Sequence, residues 1–356
     1  MVKLMNRVYS PGRVNIIGEH TDYSYGYVMP IAINLYTIID YEKSDKLVLY
    51  SEAYNETKEF DLANIKSKTN SWLDYIIGVY KVMHDMGLNP GPINGKISGN
   101  LPIGSGLSSS ASLELAIAAA LNHTYELKLD RLQMALIGKK AENEFVGVPS
   151  GILDQFAVSF GKKGYAIFLD TQTLKYQYIP FPDILQIIVF NTGIKRELAN
   201  SEYANRKKIV EESLGILKKN SSKEINEKDL DKLPLLHKKR MGYIIRENQR
   251  VLMAMDCLKN HDYVSLGKIL VEAHRDIATN YEVSSPELDF VVNEALKYGA
   301  YGARLTGAGF GGSAIILSGK ENSEKIAKKV YQSYTKEFKY KASYTLVEAS
   351  EGTYVL

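Results

Sequence analysis

Residues 101–121, LPIGSGLSSSASLELAIAAAL, constrain this chain more than any other stretch. Gly104 and Gly106 open a loop, Ser108, Ser109 and Ser110 follow, and the chain then runs straight into residues 111–121, which are apolar on nearly every side. A helix apolar all round must lie inside the protein. The loop at its start is therefore anchored on a core, unlike a solvated Gly/Ser linker. Glycine permits the tight backbone path that an anion requires. The first N–H groups of the helix have no partner within it and point back at the loop. Such a site binds phosphate without a lysine.

Other nucleotide loops fail on inspection. No Gly-Lys-Ser or Gly-Lys-Thr occurs, which excludes the Walker A loop. Gly307, Gly309 and Gly312 match G-x-G-x-x-G, but SAIIL follows and reads as a strand, whereas a dinucleotide fingerprint requires a helix there. His274-Arg275-Asp276 imitates a protein-kinase catalytic loop, yet no Asp-Phe-Gly follows, and the triplet is read as helical.

At 356 residues the chain exceeds the roughly 250–300 at which a single core stops growing. Two lobes are expected, 1–178 and 179–356, divided where the pattern loosens over 171–184. A net charge of +3, from 44 basic and 41 acidic residues, is too balanced to indicate a nucleic-acid or membrane partner. The one cysteine, Cys257, excludes an intrachain disulfide and fits a reducing cytoplasm. No apolar run reaches the ~18 residues of a membrane span, and MVKLMNRVYSPG lacks the apolar core of a signal peptide. Periodicity predicts strands at 31–40, 46–51, 93–97, 165–170 and 184–191, and helices at 71–86, 111–122 and 129–144. A loop at 147–154 enters a further helix. Charged helices fill 197–275, and a glycine-rich turn at 307–312 joins two strands. Segregated strands and helices indicate α+β architecture in both lobes.

The second informative stretch is GRVNIIGEHTDYSYGYVMP, residues 12–30. Val14, Ile16 and Ile17 read as a buried strand, and Glu19, His20 and Asp22 crowd its end. Taken alone, such a charge cluster reads as a solvated surface turn.

Together these pieces resemble a known family. Residues 101–111 resemble the phosphate-binding motif of the GHMP kinase superfamily, and 12–26 resemble the galactokinase signature within it. EFVGVPSGILDQ is similar to the segment carrying that family's catalytic aspartate, LTGAGFGGS to its third motif, and YEVSSPELD to a further galactokinase segment. The matches fall in family order along almost the whole chain. Departures are few: Ser24 stands for a usual Asn, Ala308 for a Gly, and Ser285 and Ser313 for Cys. Ala308 bears on the backbone if that position requires a positive φ.

The resemblance implies a two-lobed GHMP kinase fold of α+β class. Its N-terminal lobe would be like the second domain of ribosomal protein S5, its C-terminal lobe ferredoxin-like, and its active site would lie in the cleft between them. It implies transfer of phosphate from ATP to the anomeric hydroxyl of D-galactose, giving α-D-galactose 1-phosphate. Asp154 would be the catalytic residue, with Arg13 beside it and the γ-phosphate. Asp22 would hold the 3- and 4-hydroxyls, Glu19 and His20 would lie near the 6-hydroxyl, and Gly151 and Tyr203 would complete the sugar pocket. ATP would lie along Gly104, Ser105, Gly106, Leu107, Ser108, Ser109 and Ser110, with Trp72 on the adenine side. Mg²⁺ would be held by Ser110, with Ser109 as alternative, and by Glu142. Three residues carry competing structural readings: Glu142 as an exposed helix residue, Asp154 as the N-cap of a helix starting near Gln155, and Trp72, the one tryptophan, as a core residue. The partners would be galactose and ATP, with neither nucleic acid nor membrane, and the chain would be a cytoplasmic monomer or weak homodimer. Rival readings are a kinase for N-acetylgalactosamine, a galactose sensor without turnover, and a mevalonate-type kinase, whose acidic substrate Glu19 and Asp22 would repel.

Overall fold

A computed structural model describes residues 5–194 and 199–356. Strand β1 (Asn6–Ile17) carries Val14, Ile16 and Ile17, all buried, and pairs antiparallel with the long β2 (Tyr27–Lys43). β1 is irregular between Pro11 and Gly12 and again between Asn15 and Ile17. Proline has no N–H for a ladder, and bulges are where strands accommodate it. β3 (Leu47–Ser51), β4 (Glu56–Phe60) and β5 (Ile93–Gly99) extend the sheet in the order β1-β2-β5-β3-β4, with β3 and β5 parallel. β6 (Tyr165–Asp170) pairs with β2, and β7 (Tyr176–Pro180) with β6. β7 lies in the stretch that reads as loosened. Only Ile179 in it is buried, so its sequence lacks a strand's alternation.

Helices α1 (Leu73–Asp85), α2 (Ser109–Thr124), α3 (Arg131–Lys140) and α4 (Leu153–Phe160) accompany this sheet. α2 is buried along its length, from Ala111 to Leu121, as its all-round apolarity requires. α3 starts in a capping box between Asp130 and Gln133. The single helix expected over 129–144 is instead divided: after Lys140 the chain makes a π-helical turn, Ala141–Val146, ended by Gly147 at φ 94°. Ile152 caps α4, so Asp154 lies within its first turn and is not the N-cap.

The second sheet is wholly antiparallel, in the order β11 (Ser343–Val347), β8 (Leu185–Asn191), β10 (Ser313–Gly319), β9 (Gly302–Thr306). Around it lie α5 (Ala199–Leu217), α6 (Leu235–Lys259), α7 (Tyr263–Asp276), α8 (Pro286–Lys297) and α9 (Ser323–Glu337). The start of the helical region expected from 197 falls outside the described residues; from 199 it is helical as read. His274, Arg275 and Asp276 end α7 as read, and β10 follows the glycine turn as read. The last strand, β12 (Tyr354–Val355), returns to pair with β1. One buried cluster joins both sheets: Val14, Ile16 and Ile31 pack with Ile187, Val189, Val251 and Leu270. No described helix is long and apolar enough to cross a membrane.

Candidate active site

The loop before α2 packs onto the irregular part of β1. A Cβ on Gly12 would lie 2.4 Å from Leu101 Cδ1 and 2.8 Å from the Leu107 carbonyl, so only glycine allows this approach. The Arg13 N–H donates to the same Leu107 carbonyl at 3.1 Å. Gly104 and Gly106 have φ of 71° and 81°, the left-handed region that glycine adopts freely. Arg13 then reaches over the loop. Its Nη1 donates to the Gly106 carbonyl at 2.8 Å, and its Nε donates to Asp154 Oδ1 at 2.7 Å. Ser108 Oγ donates to the other oxygen of Asp154 at 2.5 Å. Strand, loop and helix, far apart in sequence, thus converge on one carboxylate.

Asp154 stands three residues after Gly151, and Asp22 occupies the space a side chain at 151 would need. A Cβ there would fall 1.8 Å from Asp22 Oδ2. Burial raises the Asp22 pKa, and the nearby Asp154 charge adds to the rise. Asp22 follows a sharp turn through Gly18 and His20, which have φ of 100° and 64°. His20 is buried. Its Nε2 lies 3.1 Å from the Ala308 carbonyl, which can only accept, and its Nδ1 lies 2.7 Å from the Tyr23 hydroxyl. Nε2 therefore carries the proton, and Nδ1 accepts from Tyr23, whose hydroxyl meets that of Tyr281 at 2.7 Å. Burial lowers the pKa of His20 to about 3. Tyr203 packs its ring 5.5 Å from those of His20 and Tyr23. Glu19, almost wholly buried, pairs with Arg304 at 2.5 Å; burial pushes its pKa up to about 8 against the pull of Arg304.

Glu142, which had the competing reading of an exposed helix residue, is buried. The π-helical turn brings it to α2, where its Oε1 accepts from Ser110 Oγ at 2.9 Å. Its Oε2 accepts from Ser150 Oγ at 2.5 Å and Gln155 Nε2 at 3.0 Å. Burial raises the Glu142 pKa despite these donors.

All of this surrounds one cleft of about 940 Å³. Arg13, Glu19, His20, Asp22, Trp72, Gly104, Gly106, Ser108, Ser109, Ser110, Glu142, Gly151, Asp154 and Tyr203 line it. Two residues expected along ATP have side chains directed elsewhere. Leu107 joins the apolar cluster shared by the two sheets. Ser105 bonds within its own loop, to the Pro102 carbonyl at 2.9 Å. Trp72 is half-buried, with Nε1 donating to Glu56 at 2.6 Å and its ring parallel to that of Tyr54. Ala308 needs no positive φ; in that turn Gly307, Gly309, Phe310, Gly311 and Gly312 have it. Ala308 therefore incurs no strain. Ser313 and Ser24 both form hydrogen bonds through their hydroxyls, to the Ser105 carbonyl at 2.7 Å and the Thr21 carbonyl at 2.8 Å.

Three family models match: GHMP kinases N terminal domain over residues 74–162, galactokinase galactose-binding signature over 6–43, and GHMP kinases C terminal over 254–336. A galactokinase of Pyrococcus furiosus is 60% identical over 345 residues, covering 97% of this chain and 98% of that protein. The chain belongs to the galactokinase family. A second relative, galactokinase of Thermococcus kodakarensis, is 57% identical, covering 98% of this chain and all of that one. Among solved structures, Lactococcus lactis galactokinase complexed with galactose superposes with a TM-score of 0.94 at 35% identity, covering 99% of this chain and 95% of that one. The Methanococcus jannaschii mevalonate kinase, with a TM-score of 0.72 at 21% identity over 99% of this chain and all of that one, shares the fold. The GHMP kinase fold and its α+β class are as the sequence implied.

Sequence reasoning passed over several polar groups around the cleft of this galactokinase-family chain. Arg304 and Glu247 are fully buried, and Glu114 lies under Glu142, with Gln155 Nε2 3.0 Å from each carboxylate. Asn15 is buried beside Thr306, whose Oγ1 accepts from the Asn15 N–H at 3.1 Å. Arg304 immediately precedes LTGAGFGGS, and a charged residue inside the strand pattern GARLT was the available signal.

Proposed function

We propose that this chain catalyses transfer of the γ-phosphoryl group of ATP to the anomeric hydroxyl of D-galactose, yielding α-D-galactose 1-phosphate and ADP. The observation that carries the reading is the meeting of Asp22, Asp154 and the serine loop in one cleft. The sugar lies against Asp22, Glu19, His20, Gly151 and Tyr203, with Asp22 accepting from the 3- and 4-hydroxyls and Glu19 and His20 near the 6-hydroxyl. ATP lies along the 104–110 loop, with its base toward Trp72. The anomeric oxygen attacks the γ-phosphorus while Asp154 takes its proton; the bond from phosphorus to the β-bridging oxygen breaks, and ADP leaves with that electron pair. Arg13 offsets charge on the transferring group and holds the Asp154 carboxylate in line. Positioning and charge neutralisation supply most of the rate in such reactions.

The Glu142 site suits a divalent cation. Its carboxylate is buried next to the Ser110 hydroxyl, and no cationic side chain is paired with it among the described residues. Ser110 and Glu142 would hold Mg²⁺, with Ser109 as alternative, and the ion would neutralise phosphate charge. We place the cleft between the two lobes read at 178/179: residues 13–154 supply most of its lining, and Asn191, Gly193, Ile194, Tyr203, Gly307 and Ala308 complete it. The single cysteine supports a reducing cytoplasm.

A coupled ADP-release assay across galactose, glucose, N-acetylgalactosamine and arabinose tests the reading. Preference for galactose supports it; equal rates on all four would remove the specificity assignment. Binding of galactose and ATP without turnover above that of Asp154→Asn would make the protein a sensor.

A further inference from the structure

We infer that Arg304 is a positioning residue for sugar recognition: it occupies one carboxylate oxygen of Glu19 and thereby fixes the other as the acceptor for a single sugar hydroxyl. This rests on the placement of Glu19 near the 6-hydroxyl proposed above.

Arg304, on β9, is the largest fully buried side chain of the described residues. Its Nη2 lies 2.5 Å from Glu19 Oε2, an ion pair across the two lobes, and its Nη1 donates to Glu247 Oε1 at 2.7 Å. Both Glu19 oxygens are buried without an aligned hydrogen bond in the protein; Oε2 lies in the ion pair with Arg304, Oε1 is left for a ligand, and the residue lines the cleft. A buried oxygen without a partner is costly unless a ligand satisfies it. Glu247 also accepts from the Gly18 N–H at 3.0 Å, so one carboxylate fixes both Arg304 and the backbone just before Glu19. The array continues outward: Arg250 donates to Glu247 at 2.5 Å and pairs with Asp276, which accepts from Arg246 Nη2 at 2.7 Å. Three acidic groups face three guanidinium groups in this array. The planar fork of Arg304 reaches two carboxylates at once; a lysine, a point charge, does not.

A merely structural staple between lobes would weaken all substrates alike. A positioning role predicts a loss confined to the hydroxyl that Glu19 reads. The test compares kcat and KM for D-galactose and 6-deoxy-D-galactose in wild type, Glu19→Gln, Arg304→Lys and the double variant. Expected is a wild-type preference for galactose that falls about tenfold in Glu19→Gln, the scale of one charge-assisted hydrogen bond. Arg304→Lys should lose a similar factor, mostly through KM for galactose, and the double variant should lose no more. If Glu19→Gln alone reduces the preference while Arg304→Lys lowers both sugars equally, the inference is overturned and the sugar reading stands. If Glu19→Gln leaves the preference unchanged, both are overturned. Should Arg304→Lys fail to fold, Glu247→Gln loosens the same guanidinium, and an unchanged preference in that variant overturns the inference.

Discussion

At the scale of single residues the site is a set of carboxylates distinguished by their neighbours. Asp154 touches a guanidinium and a serine hydroxyl, Asp22 a bare glycine, and Glu142 only neutral donors. Asp154→Asn should lower kcat by roughly 10²–10⁴-fold, the usual scale for a proton acceptor, while galactose and ATP still bind in calorimetry. Gly151→Ala places a methyl where Asp22 Oδ2 stands; KM for galactose should rise at least about tenfold, with the fold intact by circular dichroism. His20 gives a pH prediction. Its folded pKa of about 3 lies below the 6.5 of a free histidine. Below about pH 6.5 the unfolded chain takes up a proton that the folded chain refuses, so stability falls as pH drops toward 3, by up to about 1.4 kcal/mol per pH unit for this group. Urea titrations at pH 7 and pH 5 should show a smaller decline in His20→Gln than in wild type. Asp154, Asp22 and Glu142 were legible because each sits in a motif. Arg304 and Glu247 were not, since a charge in a strand or helix reads as solvated until its partners on other elements are known.

At the scale of elements, close approaches set the geometry. α7 lies against β9 through Gly267 and Gly302; a Cβ on Gly267 would fall 1.9 Å from the Tyr301 carbonyl. Gly267→Ala must separate the two elements, and should cost about 1–3 kcal/mol in denaturant unfolding, the range for overpacking. An unchanged midpoint would contradict the packing described. α2 was recognisable from apolarity alone, and the strand after the glycine-rich turn at 307–312 from its SAIIL run. The π-helical turn at Ala141–Val146 was not, because a helix with one residue of extra winding keeps nearly the same apolar pattern. That turn decides whether Glu142 faces solvent or the cleft.

At the scale of the molecule, the two sheets share a core and several buried polar links, including Asn15 to Thr306 and Gly18 to Glu247. Calorimetry should therefore show one unfolding transition; two resolved transitions would contradict the shared core. Galactose and ATP at about 100 times their Kd should each stabilise by about 2.7 kcal/mol. Chelation of divalent cations should stop turnover and leave galactose binding in place, since neither Ser110 nor Glu142 is among the groups placed against the sugar.

The chain's order of residues determined what local chemistry dictates: a phosphate loop on a buried helix, a strand ending in acids, two α+β lobes and the family they resemble. Tertiary structure alone decided which groups meet. Arg13 and Asp154 lie 141 positions apart, and Arg304 reaches Glu19 across most of the chain. Backbone propensity and apolar period act over a few residues, so they place elements. Burial, charge pairing and the space beside a glycine depend on contacts between distant segments, and these exist only once the chain has folded.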